Sequence, residues 1–147
     1  MKINTKYHGV MEIAQEEVWY FVNGIPGFLN EKKFILLPLE DNPLFQILQS
    51  TETTDLAFVL TNPFYFEKDY DFKVDPGTLD QISLKNEKDV AVMVIVTVKD
   101  PFEKSTANLQ APIIFNLANQ QAKQMILTQT EYNTKQYIFK KLPASKG

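Results

Sequence analysis

Nine consecutive residues, Val90 to Val98, read VAVMVIVTV. In an extended chain successive side chains point to opposite faces. Val90, Val92, Val94, Val96 and Val98 therefore share one face, and Ala91, Met93 and Ile95 share the other. Both faces are apolar, so this strand has to be covered on both sides. It is the expected central strand, and it is far too short for a membrane-spanning helix, which needs about 20 apolar residues.

The remaining segments arrange themselves around it. Short extended runs are predicted at Val10–Ile13, Val18–Phe21, Phe34–Leu37, Phe45–Leu48, Leu56–Leu60 and Lys123–Leu127, with turn signals between them. NGIPGF, from Asn23 to Phe28, concentrates residues that punctuate structure. The stretch from Asp75 to Leu84 has room for one or two helical turns, with Leu79, Ile82 and Leu84 facing inward, and Glu87 to Asp89 form a charged turn. In NLQAPIIFN, Pro112 lacks a backbone donor and belongs at the start or edge of a strand. Ile113 and Phe115 share one face there, while Asn108 and Asn116 are placed to satisfy turn backbone at the two ends. A strand every 8–12 residues or so indicates a barrel or sandwich. The expected fold is mainly β, a small single-domain antiparallel β-barrel-like fold with minor short helices. A chain of 147 residues can build such a core without metals or disulfides.

The charge is uneven. Residues 131–147 carry Lys135, Lys140, Lys141 and Lys146 against Glu131, a net +3, so residues 1–130 carry -6 of the overall -3. The acidic part repels nucleic-acid backbones and favours a basic partner, or simply keeps the protein soluble. The basic tail adds a last short strand or helix near Tyr137 to Phe139. The chain has no cysteine, which removes thiol catalysis and thiolate zinc sites and suits a reducing cytoplasm. No apolar leader opens the sequence, so no membrane association is expected.

Chemistry is hard to find. His8 is the lone histidine, beside a glycine in a polar stretch, and reads as an ordinary turn residue rather than a catalytic base. No metal-ligand spacing, phosphate loop or dinucleotide fingerprint occurs. The expectation is a protein that is not an enzyme and that holds no cofactor or metal. Binding remains. Asn62-Pro63-Phe64 and Asp100-Pro101-Phe102 each follow a predicted strand, and if those strands are neighbours the two loops would meet at one barrel end. Each phenylalanine either plugs that end or enters a partner's pocket. Asp69 and Asp71 share a face if their stretch is extended, and form either a solvated edge or a docking surface for a basic protein.

Several of these pieces together resemble one family. Asn4-Thr5-Lys6-Tyr7-His8-Gly9 is followed by Gly24-Ile25-Pro26-Gly27-Phe28, then Asn62-Pro63-Phe64, the Asp89 to Val98 strand, and TANLQAPIIFN from Thr106 to Asn116. The combination resembles the flagellar assembly factor family, FliW, over nearly all of the chain up to about residue 130. The resemblance implies a FliW-like β domain over 1–130 and a basic C-terminal tail over 131–147. It implies a cytoplasmic β-barrel-like protein that binds the translational repressor CsrA and antagonises its RNA binding, relieving repression of flagellin synthesis. It also implies binding to flagellin itself, in a chaperone-like partner switch without direct nucleic-acid contact. Gly24, Pro26, Gly27, Asn62, Pro63, Phe64, Asn108, Pro112 and Asn116 mark the motif. Glu67, Asp69 and Asp71 are the candidate electrostatic contacts, and Pro101 and Phe102 the candidate apolar ones. With no heptad or self-complementary element, a monomer is the expected free state. A generic β scaffold with other partners, or a weak hydrolase or carbohydrate binder, stays open on the residues alone.

Overall fold

A computed structural model describes residues 1–39, 42–128 and 130–139. Eleven strands occur among them: β1 (Lys2–Asn4), β2 (Val10–Glu12), β3 (Trp19–Phe21), β4 (Lys33–Pro38), β5 (Phe45–Ser50), β6 (Ala57–Thr61), β7 (Val90–Thr97), β8 (Thr106–Ala107), β9 (Ile113–Asn116), β10 (Gln121–Gln124) and β11 (Gln136–Tyr137). A single short helix among the described residues, α1 (Pro76–Gln81), starts at Asp75, whose Oδ1 accepts the Thr78 amide at 2.7 Å. Proline at its first position supplies helical φ where no amide donor is needed.

Seven strands close on themselves. β3, β4, β5, β6 and β7 pair in chain order, then β7 pairs with β9, β9 with β10, and β10 with β3. Every pairing in the ring is antiparallel except β10 on β3, where Gln121 lies opposite Tyr20 and Ala122 opposite Phe21. The expected barrel is therefore present, with one parallel seam. β7 makes the closure: Val94 to Val96 pair with β6, while Val90 to Met93 pair with β9. Residues Val96 and Thr97 also receive β8, which carries β11 on its outer edge.

Strand alternation sorts the side chains as expected of β7. Ala91, Met93 and Ile95 face the barrel interior, packed on a cluster that includes Trp19, Phe21, Phe34, Leu48, Leu60 and Phe115. The rings meet edge to face, Trp19 with Phe115 at 4.9 Å and Phe21 with Phe34 at 5.2 Å between centroids. Outside, three covers complete the burial. The β1–β2 hairpin lays Ile3 and Ile13 over Ile35, Leu37 and Ile47. Ile82, at the end of α1, covers Ile114 with Met125 and Leu127, and Val90 and Val92 pack against them. Phe45, Tyr70, Leu109 and Ile138 cover Val94 and Val96.

Polar side chains fasten these covers. Asn116 is buried, and its Nδ2 donates to the carbonyls of Ile82 (2.9 Å) and Ser83 (3.3 Å) while its Oδ1 accepts the Ala118 amide (3.0 Å). Asn108 Oδ1 accepts the Gln110 amide at 3.0 Å. Pro112 immediately precedes β9, and its carbonyl accepts the Met125 amide (2.8 Å).

Some expectations need correction. Leu79 is exposed, because a helix this short buries only the residues next to the barrel, Thr78 and Ile82. Val98 lies past the end of β7 and is also exposed. β10 begins two residues earlier than predicted and ends at Gln124. Met125 and Leu127 remain buried, held by their amides to Pro112 and Gln110 rather than in a ladder. β1 carried no sequence signal that identified it. At the C-terminal end the strand is Gln136–Tyr137, and residues 140–147 lie outside the described residues.

The bend between β3 and β4 depends on Gly24. Its φ is +67°, and a Cβ there would sit 2.5 Å from the Leu29 carbonyl oxygen. Gly9 has a similar φ of +64° but open space around it. Gly24→Ala is expected to cost more than about 2 kcal/mol, against about 1 kcal/mol for Gly9→Ala. Urea unfolding midpoints of the two variants would check this; equal losses would show that backbone conformation, not the close approach, governs Gly24.

Candidate functional site

Beyond β6 the chain turns over the barrel end. The Asn62 Oδ1 accepts the Phe64 amide (2.9 Å), and Pro63–Tyr65 form a 3-10 turn. This leaves Phe64 and Tyr65 exposed. The Glu67 amide then bonds the Pro63 carbonyl at 2.9 Å, and the Glu67 carbonyl accepts the Tyr70 amide at 3.1 Å. Tyr70 anchors the loop. It is buried, its hydroxyl donates to the Leu109 carbonyl at 2.7 Å, and its ring lies 4.7 Å from that of Tyr132. Tyr132 also braces the loop through its hydroxyl oxygen, which accepts the Asp71 amide (2.8 Å). With Tyr70 turned inward, Asp69 and Asp71 on either side of it are both exposed. Lys68 and Lys73 interleave with them, so residues 67–75 carry a net charge of -2.

Pro101 and Phe102 sit elsewhere. Because β6 and β7 run antiparallel, with Thr61 opposite Val94, the loops after them leave in opposite directions, and Phe64 and Phe102 do not meet as the sequence suggested. Phe102 opens a 3-10 turn over Phe102–Lys104 and folds back, half-buried, onto Phe45 and Phe139, each 5.3 Å away by ring centroid. Phe64 instead approaches Tyr70 at 5.9 Å. The acidic loop and Phe102 thus flank the same outer cluster without forming one patch.

The barrel mouth beside Phe64 is an open cleft of about 600 Å³. Trp19, Met93 and Phe115, from three strands, form its floor. Leu44, Phe64, Tyr65 and Leu117 form an apolar rim, all exposed. The rim is fixed by hydrogen bonds to its backbone. The Thr61 hydroxyl donates to the Leu44 carbonyl (2.8 Å), and the Leu117 amide donates to the Asp89 carbonyl (2.7 Å). Gln46, Asn62 and Glu87 are the polar groups in the wall.

Among the described residues no group of three or more His, Cys, Asp or Glu side chains is arranged to hold a metal, and no helix is long and apolar enough to cross a membrane. His8 lies in the β1–β2 turn, its amide donating to Thr5 Oγ1 at 2.8 Å.

A family model described as FliW protein matches residues 2–138. The chain belongs to the FliW family. It is 53% identical over 139 residues to the flagellar assembly factor FliW of Geobacillus kaustophilus, covering 95% of this chain and 96% of that one. It is 49% identical over 138 residues to the FliW of Bacillus subtilis, covering 94% and 96%. A crystal structure of the flagellar assembly factor FliW superposes with a TM-score of 0.91 at 50% identity, covering 96% of this chain and 99% of that one. FliW proteins are assembly factors and not enzymes.

Sequence reading singled out Phe64 but missed Leu44 and Leu117, which lie far from it along the chain and reach it only through strand pairing. An isolated exposed leucine carries no signal in a sequence.

Burial, aided by the neighbouring Tyr132 phenol, holds the Tyr70 hydroxyl well above the ordinary tyrosine range. The folded state therefore favours the neutral phenol. Its contribution to stability is complete below the unfolded value near about 10 and is lost as pH rises above it. Tyr70→Phe should lose about 1–2 kcal/mol at neutral pH and shed part of the alkaline decline. Urea midpoints measured across that pH range would check it; an unchanged alkaline slope would remove Tyr70 as its source.

Proposed function

We propose that the protein binds CsrA and antagonises its RNA binding, relieving repression of flagellin translation, and that it binds flagellin in a competing complex. The two partners then form a switch. Free flagellin occupies the factor and releases CsrA to repress, while export of flagellin frees the factor to capture CsrA. Membership in the FliW family over nearly the whole chain is the observation that carries this reading. The acidic charge of residues 1–130 is consistent with a protein-binding role. The protein would act in the cytoplasm, where the message is translated, as a monomer when free and with a chaperone-like role toward flagellin.

Charge supports a choice of contacts, with Asp69, Asp71 and Pro101 exposed and Glu67 and Phe102 half-buried. Glu67, Asp69 and Asp71 supply a field that speeds encounter with a basic RNA-binding protein, an effect on association rate more than on final affinity. Pro101 and the outer part of Phe102 supply an apolar contact. RNA release proceeds either by covering the RNA surface or through a second site that disfavours the RNA-competent state. A ternary complex with RNA distinguishes the second, since linkage requires both sites to be occupied together.

Calorimetric titration with CsrA, repeated after saturation with flagellin, tests the switch. Saturable CsrA binding that flagellin abolishes is the expected result, and no heat with CsrA at micromolar concentration would sink it. The double variant Asp69→Lys, Asp71→Lys should slow CsrA association about tenfold at low salt, with the difference fading as salt rises. An association rate indifferent to the two reversals would exclude this loop as the steering element.

A further inference from the structure

The acidic loop and the barrel-mouth cleft belong to one continuous segment. Phe64 and Tyr65 form part of the cleft rim, and two residues later the chain enters Glu67 to Asp71. The two are also joined in space, because the Phe64 ring lies 5.9 Å from the ring of Tyr70, between the exposed Asp69 and Asp71. Among the described residues lining the cleft, Glu87 is the charged one and none is lysine or arginine; Glu87 also lies beside Phe72 and Lys73, which follow the acidic loop. An apolar seat of this volume in a barrel mouth, with a few polar groups in the wall, is the usual form of a binding pocket. With Glu87 in its wall and Asp69 and Asp71 just beyond its Phe64 rim, it is matched to an occupant that inserts an apolar side chain and carries positive charge beside it.

We propose that the cleft seats a lysine- or arginine-rich segment of a partner protein, which inserts one bulky apolar side chain onto the Trp19–Phe115 floor. Its neighbouring cations then face Glu87 in the wall and Asp69 and Asp71 beyond the Phe64 rim. The Gln46 and Asn62 side chains in the wall offer hydrogen bonds to the inserted backbone. Four exposed apolar side chains fixed around a concave floor expose the kind of surface that isolated proteins rarely leave open. The identification of the partner as CsrA rests on the function proposed above. Given that reading, the desolvated centre of the contact lies at Leu44, Phe64, Tyr65 and Leu117, and Pro101 and Phe102 fall outside it.

The test uses the full chain and two probes. Trp19 is the sole tryptophan and forms part of the cleft floor, so its emission reports occupancy directly. The first probe is a short tryptophan-free peptide with lysines on both sides of a Leu-Phe pair, compared with its glutamate-flanked counterpart. The second is CsrA, followed by calorimetry. Variants are L44D/L117D, the uncharged L44S/L117S in case the charges disturb folding, and V10D/I126D, which places the same charges at exposed apolar positions outside the cleft. The expected result is a saturable Trp19 response to the lysine peptide alone. CsrA binding should weaken about tenfold or more in both cleft variants and stay unchanged in V10D/I126D. CsrA binding equally well to the wild type and both cleft variants overturns the cleft assignment and leaves the CsrA reading intact. A Trp19 response to the lysine peptide without any binding of CsrA keeps the cleft and removes CsrA as its occupant. Silence with both probes overturns both.

Discussion

The protein is organised around a strand that no single sheet can satisfy. β7 presents Ala91, Met93 and Ile95 on one side and four valines on the other, so exposing either face to water would forfeit about 25 cal/mol for each square ångström of apolar surface. Ring closure answers one side. The outer side is answered by elements added on top: the end of α1 over Val90 and Val92, and the segments carrying Tyr70, Leu109 and Ile138 over Val94 and Val96. The covers are therefore required by the same residues that close the barrel.

This division of labour explains where the exposed acidic loop and the apolar rim lie. The barrel supplies rigid positions, and the covering segments are free to present side chains outward once their inward residues are anchored. The loop after β6 is the clearest case. Tyr70 points in and is held by a buried hydrogen bond, and that anchoring turns Asp69 and Asp71 out. The rim of the cleft is likewise made of residues just past strand ends, each held by a hydrogen bond to its backbone while its side chain stays exposed.

Local alternation made much of the fold readable. The two faces of β7, the placement of Pro112 just before β9 and the turn-satisfying roles of Asn108 and Asn116 follow from neighbouring residues and survive in the structure. What pattern reading could not supply is pairing over long distances. The parallel seam joins Phe21 to Ala122, a partnership no local sequence feature encodes, and the cleft exists only because of it. Leu79 misled for a related reason: its spacing from Ile82 fits an inward helical face, but α1 is too short to have more than one point of contact with the barrel. The antiparallel arrangement of β6 and β7 likewise sends two similar Pro-Phe turns in opposite directions, although each turn on its own was correctly located.

The parallel seam also has a bearing on synthesis. β3 is made early and must wait for β10, about a hundred residues later, before its free edge is covered. Contacts of such separation form slowly compared with hairpins. A chain still emerging from the ribosome can thus assemble the β4–β5–β6 meander, yet Trp19 and Phe115 cannot face each other until the ninth and tenth strands are out. The cleft floor, which joins Trp19 to Phe115, is therefore completed later than the meander and only after β9 and β10 have been made.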